Sequence, residues 1–451
     1  MSFSNATLFA RITGPLIASL LAYVFWRYIR NRHGPEKRQD TLLIITYSAT
    51  RLGLWLIFAI YMQEYVTSSD PRLYYTPILE HFLAGEVPIR DFFYPYGPFL
   101  ILSMLPPYLL LGRTLAGISL FAIVAEAVAL FFFLKCTSLL EKRGELDRSW
   151  VREALAVYLL NPATLYWTVF QGYHSIVQTA YSMAAFYLLL RGYSKTGYAV
   201  GLYSVAGSKF LAILDWPALL GVCRPRLTKL FWGVIPLLLT YVAFQMLTGD
   251  ILSPIRYHIN YKSEGNIWYL LTLFGDPRNF YSSFPGNLLP IFCFGFIFLL
   301  GLGYWLTYLR LGLTSFSFQT AMGITTFTMS LFFLFSFYTG NYYIPMLMLP
   351  ASVVVTSPAL RSERAVRSLL LVSGLCVAGD AMWTSLDQPD LLIAVFSSRS
   401  LSQQSLAAIW TASLVTRITC LAMLAQFGML AAFREPVSSK RVPFGASYAA
   451  R

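Results

Sequence analysis

The stretch TLAGISLFAIVAEAVALFFFL, residues 114–134, decides the fold class. It carries a single ionisable residue, Glu126. At about 1.5 Å of rise per residue it is long enough to cross a hydrocarbon layer roughly 30 Å thick. Working outward, similar apolar runs bounded by charge or by Gly and Pro occupy residues 12–29, 42–63, 151–169, 174–191, 230–248, 287–309, 314–338, 341–357, 366–385 and 405–432. Over 451 residues the chain is 57% apolar and 12% charged, a balance that excludes a soluble enzyme, a disordered chain and a secreted disulfide scaffold. The expected fold is an all-α polytopic membrane protein with about 11–13 transmembrane helices. Its location is then an integral, multi-pass one, in the plasma membrane if the chain is prokaryotic.

Two stretches do not read as single spans. Residues 96–112 are apolar but short and broken by Pro106 and Pro107, and residues 196–221 are too long for one crossing and tight for two. Parity resolves both if 96–112 dips into one leaflet and 196–221 enters and returns as a short hairpin. Lys and Arg then number 20 in loops 27–40, 135–152, 224–229, 361–367 and the tail, against 7 on the opposite face. The basic face is therefore expected to be cytoplasmic. This asymmetry absorbs the net charge of +13, which carries no implication of nucleic acid. Ten of the 21 acidic residues fall in the opposite-face segments 64–95, 249–286 and 385–404, where any chemistry is expected.

The first apolar run lacks a basic leader and a cleavage signature, so it reads as a retained span. Three regions follow. Residues 1–41 are an extra N-terminal span with a basic loop; residues 42–250 are a module whose outer loop is 64–113; residues 251–451 hold a second outer loop and supporting spans. The five cysteines lie in or beside hydrophobic segments, which argues against disulfides, and no metal-ligand spacing appears.

The outer loop beginning at Glu64 reads EYVTSSDPRLYYTPILEHFLAGEVPIRDFFYPYGPFLILSMLPP. Ser69 or Asp70 caps a helix with Pro71 at its first position and Gly85 at its end. Leu73, Pro77, Leu79, Phe82 and Leu83 fall mainly on one side, so the helix is expected to lie in the membrane interface. Asp70, at the positive end of that helix, is either a cap alone or an ionised base at the membrane surface. Intramembrane Arg51, Glu126, Asp380 and Arg417 each need a partner or a wet cavity, and Asp380 and Arg417 lie at compatible depths for an ion pair.

Asp70, Tyr74, Gly85, Pro88, Arg90, Asp91 and the run Tyr94 to Pro98 together resemble the first outer loop of the GT-C superfamily of membrane glycosyltransferases. The chain looks most like the polyprenyl-phosphate-mannose-dependent α-mannosyltransferases. Gly97 stands where a proline is usual. Residues 161–175, NPATLYWTVFQGYHS, resemble the family's Asn-Pro and following outer turn, with Gln171-Gly172 inverted and His174 in the place of an acid. Lys209 in AGSKF matches a lysine at the tip of a short hairpin, with either a donor phosphate or Asp215 as its expected partner. The loop 253–280 brings Arg256, His258, Lys262 and Glu264 among tyrosines and Trp268, and YTGNYYIP, with Tyr342, resembles a turn beside the site.

The resemblance implies an inverting transfer of a hexose, mannose in that branch, from a polyprenyl phosphate to an acceptor hydroxyl on the non-cytoplasmic face. Asp70 would be the general base. Arg90, Asp91, Tyr94, Gln171, His174, Lys209, Arg256, His258, Lys262, Glu264 and Tyr342 would bind substrates. Membrane lipids, the lipid-linked donor and a glycolipid, glycan or protein acceptor are the implied partners, with no metal or other cofactor. A lipid or solute transporter or flippase, and a non-catalytic assembly subunit, are the alternatives.

Overall fold

A computed structural model of the chain describes residues 5–31, 36–62, 71–222, 227–253, 289–313, 317–335, 343–358, 360, 362–385 and 401–433. The expectations for Asp70, Arg256, His258, Lys262, Glu264 and Tyr342 lie outside the described residues. The α-helices are α1 Asn5–Asn31, α2 Glu36–Ser48, α3 Leu54–Ile57, α4 Thr76–Leu83, α5 Leu100–Leu110, α6 Leu115–Lys142, α7 Arg148–Leu159, α8 Pro162–Thr164 and α9 Ile176–Leu190. There follow α10 Ser194–Gly207, α11 Trp216–Val222, α12 Leu227–Thr248, α13 Leu289–Leu313, α14 Phe318–Phe335, α15 Ile344–Thr356, α16 Glu363–Ser385 and α17 Leu401–Phe433. Wider helical turns, with π hydrogen bonding, occupy Ala49–Gly53, Phe58–Met62, Pro71–Tyr75 and Leu165–Phe170, and a 3₁₀ helix occupies Phe210–Asp215. No strand forms among the described residues.

Five helical stretches, at residues 37–60, 115–142, 231–248, 318–335 and 412–433, are long and apolar enough to cross a membrane. The chain is an all-α membrane protein. Several other expected spans are broken or shortened for legible reasons. The run 151–169 stops at Leu160; Asn161 turns extended, caps the Ala163 amide at 2.9 Å and hands the chain to Pro162. Helix α15 has 13 residues, about 20 Å at the usual rise, and is buried at every position. Helix α5, with 11 residues including Pro106 and Pro107, covers only about half the hydrocarbon thickness. Its far end returns to the outer loop, where Tyr108 Oη donates to Glu80 at 2.7 Å and Arg113 pairs with Glu80 at 3.2 Å.

Residues 194–222 form the expected short hairpin. Helix α10 breaks after Gly207, and the return arm runs through Phe210–Asp215 into α11.

Long helix α6 sets two ends of the bundle. Near its start Ser119 Oγ donates to the Val169 carbonyl, and the Cα of Ser119 lies 3.1 Å from where a Gly172 Cβ would be. Near its finish Arg143 donates to Leu190 O at 2.7 Å. At that second end Asp40 accepts from Arg148 at 2.6 Å and Arg152 at 2.8 Å, which joins the basic segments 27–40 and 135–152. Tyr23 reaches Glu363 there, adding the segment 361–367.

The N-terminal helix packs into the C-terminal part of the fold. Ser19 Oγ donates to Leu370 O at 2.8 Å, and a Cβ on Gly374 would collide with that hydroxyl at 2.2 Å. Helices α14 and α17 touch backbone to backbone at Gly323 and Gly428, where a Cβ on either would lie within 2.8 Å of the other's carbonyl oxygen. Such close crossings use dispersion and tight packing where the hydrophobic effect between spans is weak.

Arg51 and Glu126, both 0% exposed, pair through two hydrogen bonds, Nε to Oε2 at 2.8 Å and Nη2 to Oε1 at 2.6 Å. Tyr158 Oη donates to Oε1 at 2.8 Å, and the guanidinium also reaches Leu159 O at 2.5 Å and the hydroxyls of Thr50 and Thr164. Two of the intramembrane charges thus neutralise each other across 75 residues of sequence. Asp380 accepts from Trp167 Nε1 at 3.3 Å. Cys376, one turn away, donates to Thr416 O at 3.4 Å, while a Gly379 Cβ would lie 2.9 Å from Ser413 Cβ, so Arg417 stands on the neighbouring helix about one turn from the level of Asp380. Cys136, Cys376 and Cys420 are buried free thiols.

Candidate functional site

The site is assembled at the end of the bundle where α6 begins. The segment from Pro71 starts with one wide turn, in which Thr76 Oγ1 donates back to Pro71 O at 3.0 Å, and continues as α4 to Leu83. Gly85 follows at φ +87°, the left-handed stop expected of a C-terminal glycine. Pro71, Tyr75, Ile78 and Leu79 point inward, whereas Leu73 is 55% exposed and Pro77 is exposed. The spacing of three and four from Tyr75 defines the inner stripe, because Tyr75 has a specific partner there.

That partner is His174. Tyr75 Oη and His174 Nδ1 are hydrogen-bonded at 2.5 Å, and both side chains are essentially inaccessible. Tyr96 packs edge-on against both rings, 5.6 Å from Tyr75 and 4.9 Å from His174. On its other side the ammonium of Lys209 lies 4.9 Å from the Tyr96 ring centre. Lys209 Nζ also donates to Tyr343 Oη at 2.8 Å and lies 4.8 Å from that ring's centre. Tyr343 stacks on Phe333 at 5.2 Å. A first-loop helix, the 171–175 turn, the hairpin tip and the start of α15 therefore meet in one polar, aromatic cluster.

The hairpin tip explains how Lys209 gets there. A Cβ on Gly207 would fall 2.3 Å from Tyr181 Oη, so only glycine lets α10 end against α9. Lys209 itself is extended, with φ −140° and ψ 158°, between the helix and the 3₁₀ arm. The outer loop covers the end of α10. Gly97 N donates to Ser208 O and Phe99 N to Ala206 O, both at 3.0 Å, which satisfies carbonyls that a helix end leaves open. Gly97 has no room for a side chain, since its Cβ would sit 2.4 Å from Ala206 O. A proline there would lack the donated N–H and collide with the same carbonyl. The glycine in place of a proline is a requirement of this packing.

Other expected site residues have local engagements. Tyr94 Oη donates to Gly97 O at 2.7 Å and accepts from Ile101 N at 3.1 Å, bracing the loop as it enters α5. Its ring lies 5.7 Å from Tyr96, at the border of the cluster. Gln171 Nε2 donates to Tyr166 Oη at 3.1 Å. Arg90 and Asp91 stand on an exposed turn and hold each other through two bonds, at 2.9 and 2.8 Å. Asp91 Oδ2 also accepts from Val87 N at 2.8 Å, and Ile89 is held at φ +71° inside this turn. The Arg90 guanidinium and then the Val87 amide hold the Asp91 carboxyl down at about 2. This pair is not joined to the Lys209 cluster by any described bond.

Asp215, one of the two expected partners of Lys209, is bonded elsewhere, to Ser182 and Gln178 on α9. Tyr75, Tyr96 and Tyr343 belong to the cluster although sequence reading did not single them out. Their signal was the company they keep: Tyr75 adjoins Tyr74, Tyr96 lies in the Tyr94 to Pro98 run, and Tyr343 follows Tyr342. Among the described residues no group of three or more His, Cys, Asp or Glu comes together to hold a metal ion.

The arrangement suits an anionic ligand that also presents apolar faces. An ammonium contributes positive charge and donors, an imidazole contributes hydrogen-bonding nitrogens, and tyrosine rings and hydroxyls surround them. Compared with known proteins, the chain matches no family model and no curated relative.

Proposed function

We propose that the chain is a polytopic membrane glycosyltransferase of the GT-C type. In this reading it moves a hexose, mannose by the resemblance, from a polyprenyl phosphate to an acceptor hydroxyl. The observation that carries the reading is the meeting of Lys209, His174, Tyr75, Tyr96 and Tyr343 at one end of the bundle. Lys209 supplies positive charge and His174 a hydrogen-bonding nitrogen to the leaving phosphate, which stabilises the charge that develops as the glycosidic bond breaks. The tyrosine faces receive the sugar. Asp70, adjoining the segment that delivers Tyr75, removes the acceptor's proton as the hydroxyl attacks the anomeric carbon opposite the phosphate. One bond forms, the carbon–phosphate oxygen bond breaks, and the configuration inverts.

The shorter apolar helices complete about 11–13 spans in combination across their breaks. The basic segments gathered around Asp40 and Glu363 lie on the cytoplasmic side, and the Lys209 cluster on the other.

The test is transfer from radiolabelled polyprenyl-phosphate-mannose to a panel of lipid acceptors in liposomes. Wild type is expected to form labelled glycolipid, and Asp70→Asn to lose roughly 10²–10⁴ of the rate while remaining folded. Equal rates would remove Asp70 from the mechanism. Movement of intact lipid or solute across the bilayer with no new bond would establish the transporter reading in its place.

A further inference from the structure

His174, in the 171–175 turn, is followed at four-residue spacing by Gln178 and Ser182 on one face of α9. The first belongs to the cluster described above. The other two meet a different group, Asp215, at the end of the 3₁₀ arm. Asp215 Oδ2 accepts from Ser182 Oγ at 2.5 Å and from Gln178 Nε2 at 3.1 Å. All three residues are at least 96% buried. The second carboxylate oxygen, Oδ1, and the carboxamide oxygen, Gln178 Oε1, are buried and take no hydrogen bond from the described residues. Among the described residues no cationic side chain bonds Asp215.

Two acceptor oxygens on the two partners of a single hydrogen bond cannot satisfy each other without a positive centre between them. A bare carboxylate buried here would cost several kcal/mol. We propose that Asp215, Gln178 and Ser182 form a buried site for one small monovalent cation, either a proton or Na⁺. A proton on Oδ1 would be donated to Gln178 Oε1 and complete a cyclic acid–amide pair. Na⁺ would take the same oxygens as ligands, the chemistry preferred by a hard cation. In both cases the occupant neutralises the carboxyl and ties the return arm of the hairpin to α9.

Other titratable groups on the neighbouring elements are few. Lys209 and His174 lie toward the hairpin tip, Tyr181 and Tyr187 are on α9, Tyr198 and Tyr203 on α10, Tyr304 and Tyr308 on α13, and Cys136 on α6, where its thiol donates to Met183 O. Glu126 on α6 is held by Arg51, and Lys195 at the far end of α10 lies over Trp232. Helices α11, α14 and α15 contribute no acid, His, Lys or Tyr; from α14 only Thr328 reaches the arm, through Leu214 O at 3.4 Å.

The experiment is thermal unfolding of the purified full chain at constant ionic strength, comparing NaCl with N-methylglucamine chloride from mildly acidic to mildly alkaline pH. Wild type and Asp215→Asn are run side by side. A Tm raised by Na⁺, and less so on acidification, in wild type alone supports the site with Na⁺ as occupant. A Tm raised by acidification and indifferent to Na⁺, again in wild type alone, supports it with a proton. Identical responses in wild type and variant overturn the proposal. Should Asp215→Asn not fold, Gln178→Leu and Ser182→Ala are expected to weaken the same response. Failure of both to change it is equally fatal. None of these readouts depends on glycosyl transfer.

Discussion

Two of the buried cations among the described residues stand in different surroundings. Arg51 is locked to Glu126 by two charge-assisted bonds, with Tyr158, Thr50, Thr164 and a backbone carbonyl filling the remaining positions. Lys209, 4% exposed, has among its described partners a phenol and two aromatic faces. A fork-shaped guanidinium matched to a carboxylate is a strong and inflexible pair. The Tyr343 hydroxyl on the Lys209 ammonium is a neutral partner of the kind a ligand oxygen can replace. Comparing the two regions separates a knot that holds spans together from a cluster suited to binding.

The largest expected effect comes from breaking the knot. Glu126→Ala would leave Arg51 charged and uncompensated, at a cost of about 3–5 kcal/mol, whereas replacing both with Met should recover most of it. Thermal unfolding in detergent reads the difference, and a double variant as unstable as the single one would refute a simple pair. Lys209→Met should do the opposite. Stability is retained or raised, while transfer from the lipid-linked donor falls by roughly 10²–10³. If Lys209→Met unfolds the chain as Glu126→Ala does, the contrast between the regions disappears.

Gly97→Ala tests how firmly the outer loop is seated on the hairpin tip. The collision with Ala206 O should cost about 1–3 kcal/mol and loosen the cluster, seen as a lower Tm and weaker donor binding. Tyr343→Phe removes one hydroxyl from Lys209 and should cost about 0.5–1.5 kcal/mol. A rise in KM larger than any change in Tm would mark that hydroxyl as part of the binding surface.

The smallest effect concerns Asp91. Its folded pKa is depressed, so its contribution is fully present above the ordinary 3.8 and disappears as pH falls to about 2. Asp91→Asn should flatten that acid-sensitive step in proteolysis of the exposed turn and leave neutral-pH stability nearly unchanged.

Much of the scaffold was legible because it follows from local properties. Hydropathy marks the membrane helices, Pro71 and Gly85 bracket the outer helix, and the awkward length of 196–221 foretells a hairpin. The orientation of the outer helix was not legible. Leu73 and Pro77 are as apolar as Ile78, and only the bond from Tyr75 to His174 selects the inner face. Nor did composition show why Gly97 is glycine, since the reason is a carbonyl more than a hundred residues away.

The sequence by itself determined that this chain is helical and lives in a membrane, because hydrophobic content and chain punctuation act over one or two dozen residues. Tertiary structure alone decided which charges are neutralised and which groups converge. Arg51 finds Glu126 across 75 residues and Lys209 finds Tyr343 across 134. Such pairings depend on which helix faces touch and at what height, and no periodicity within a single helix encodes that.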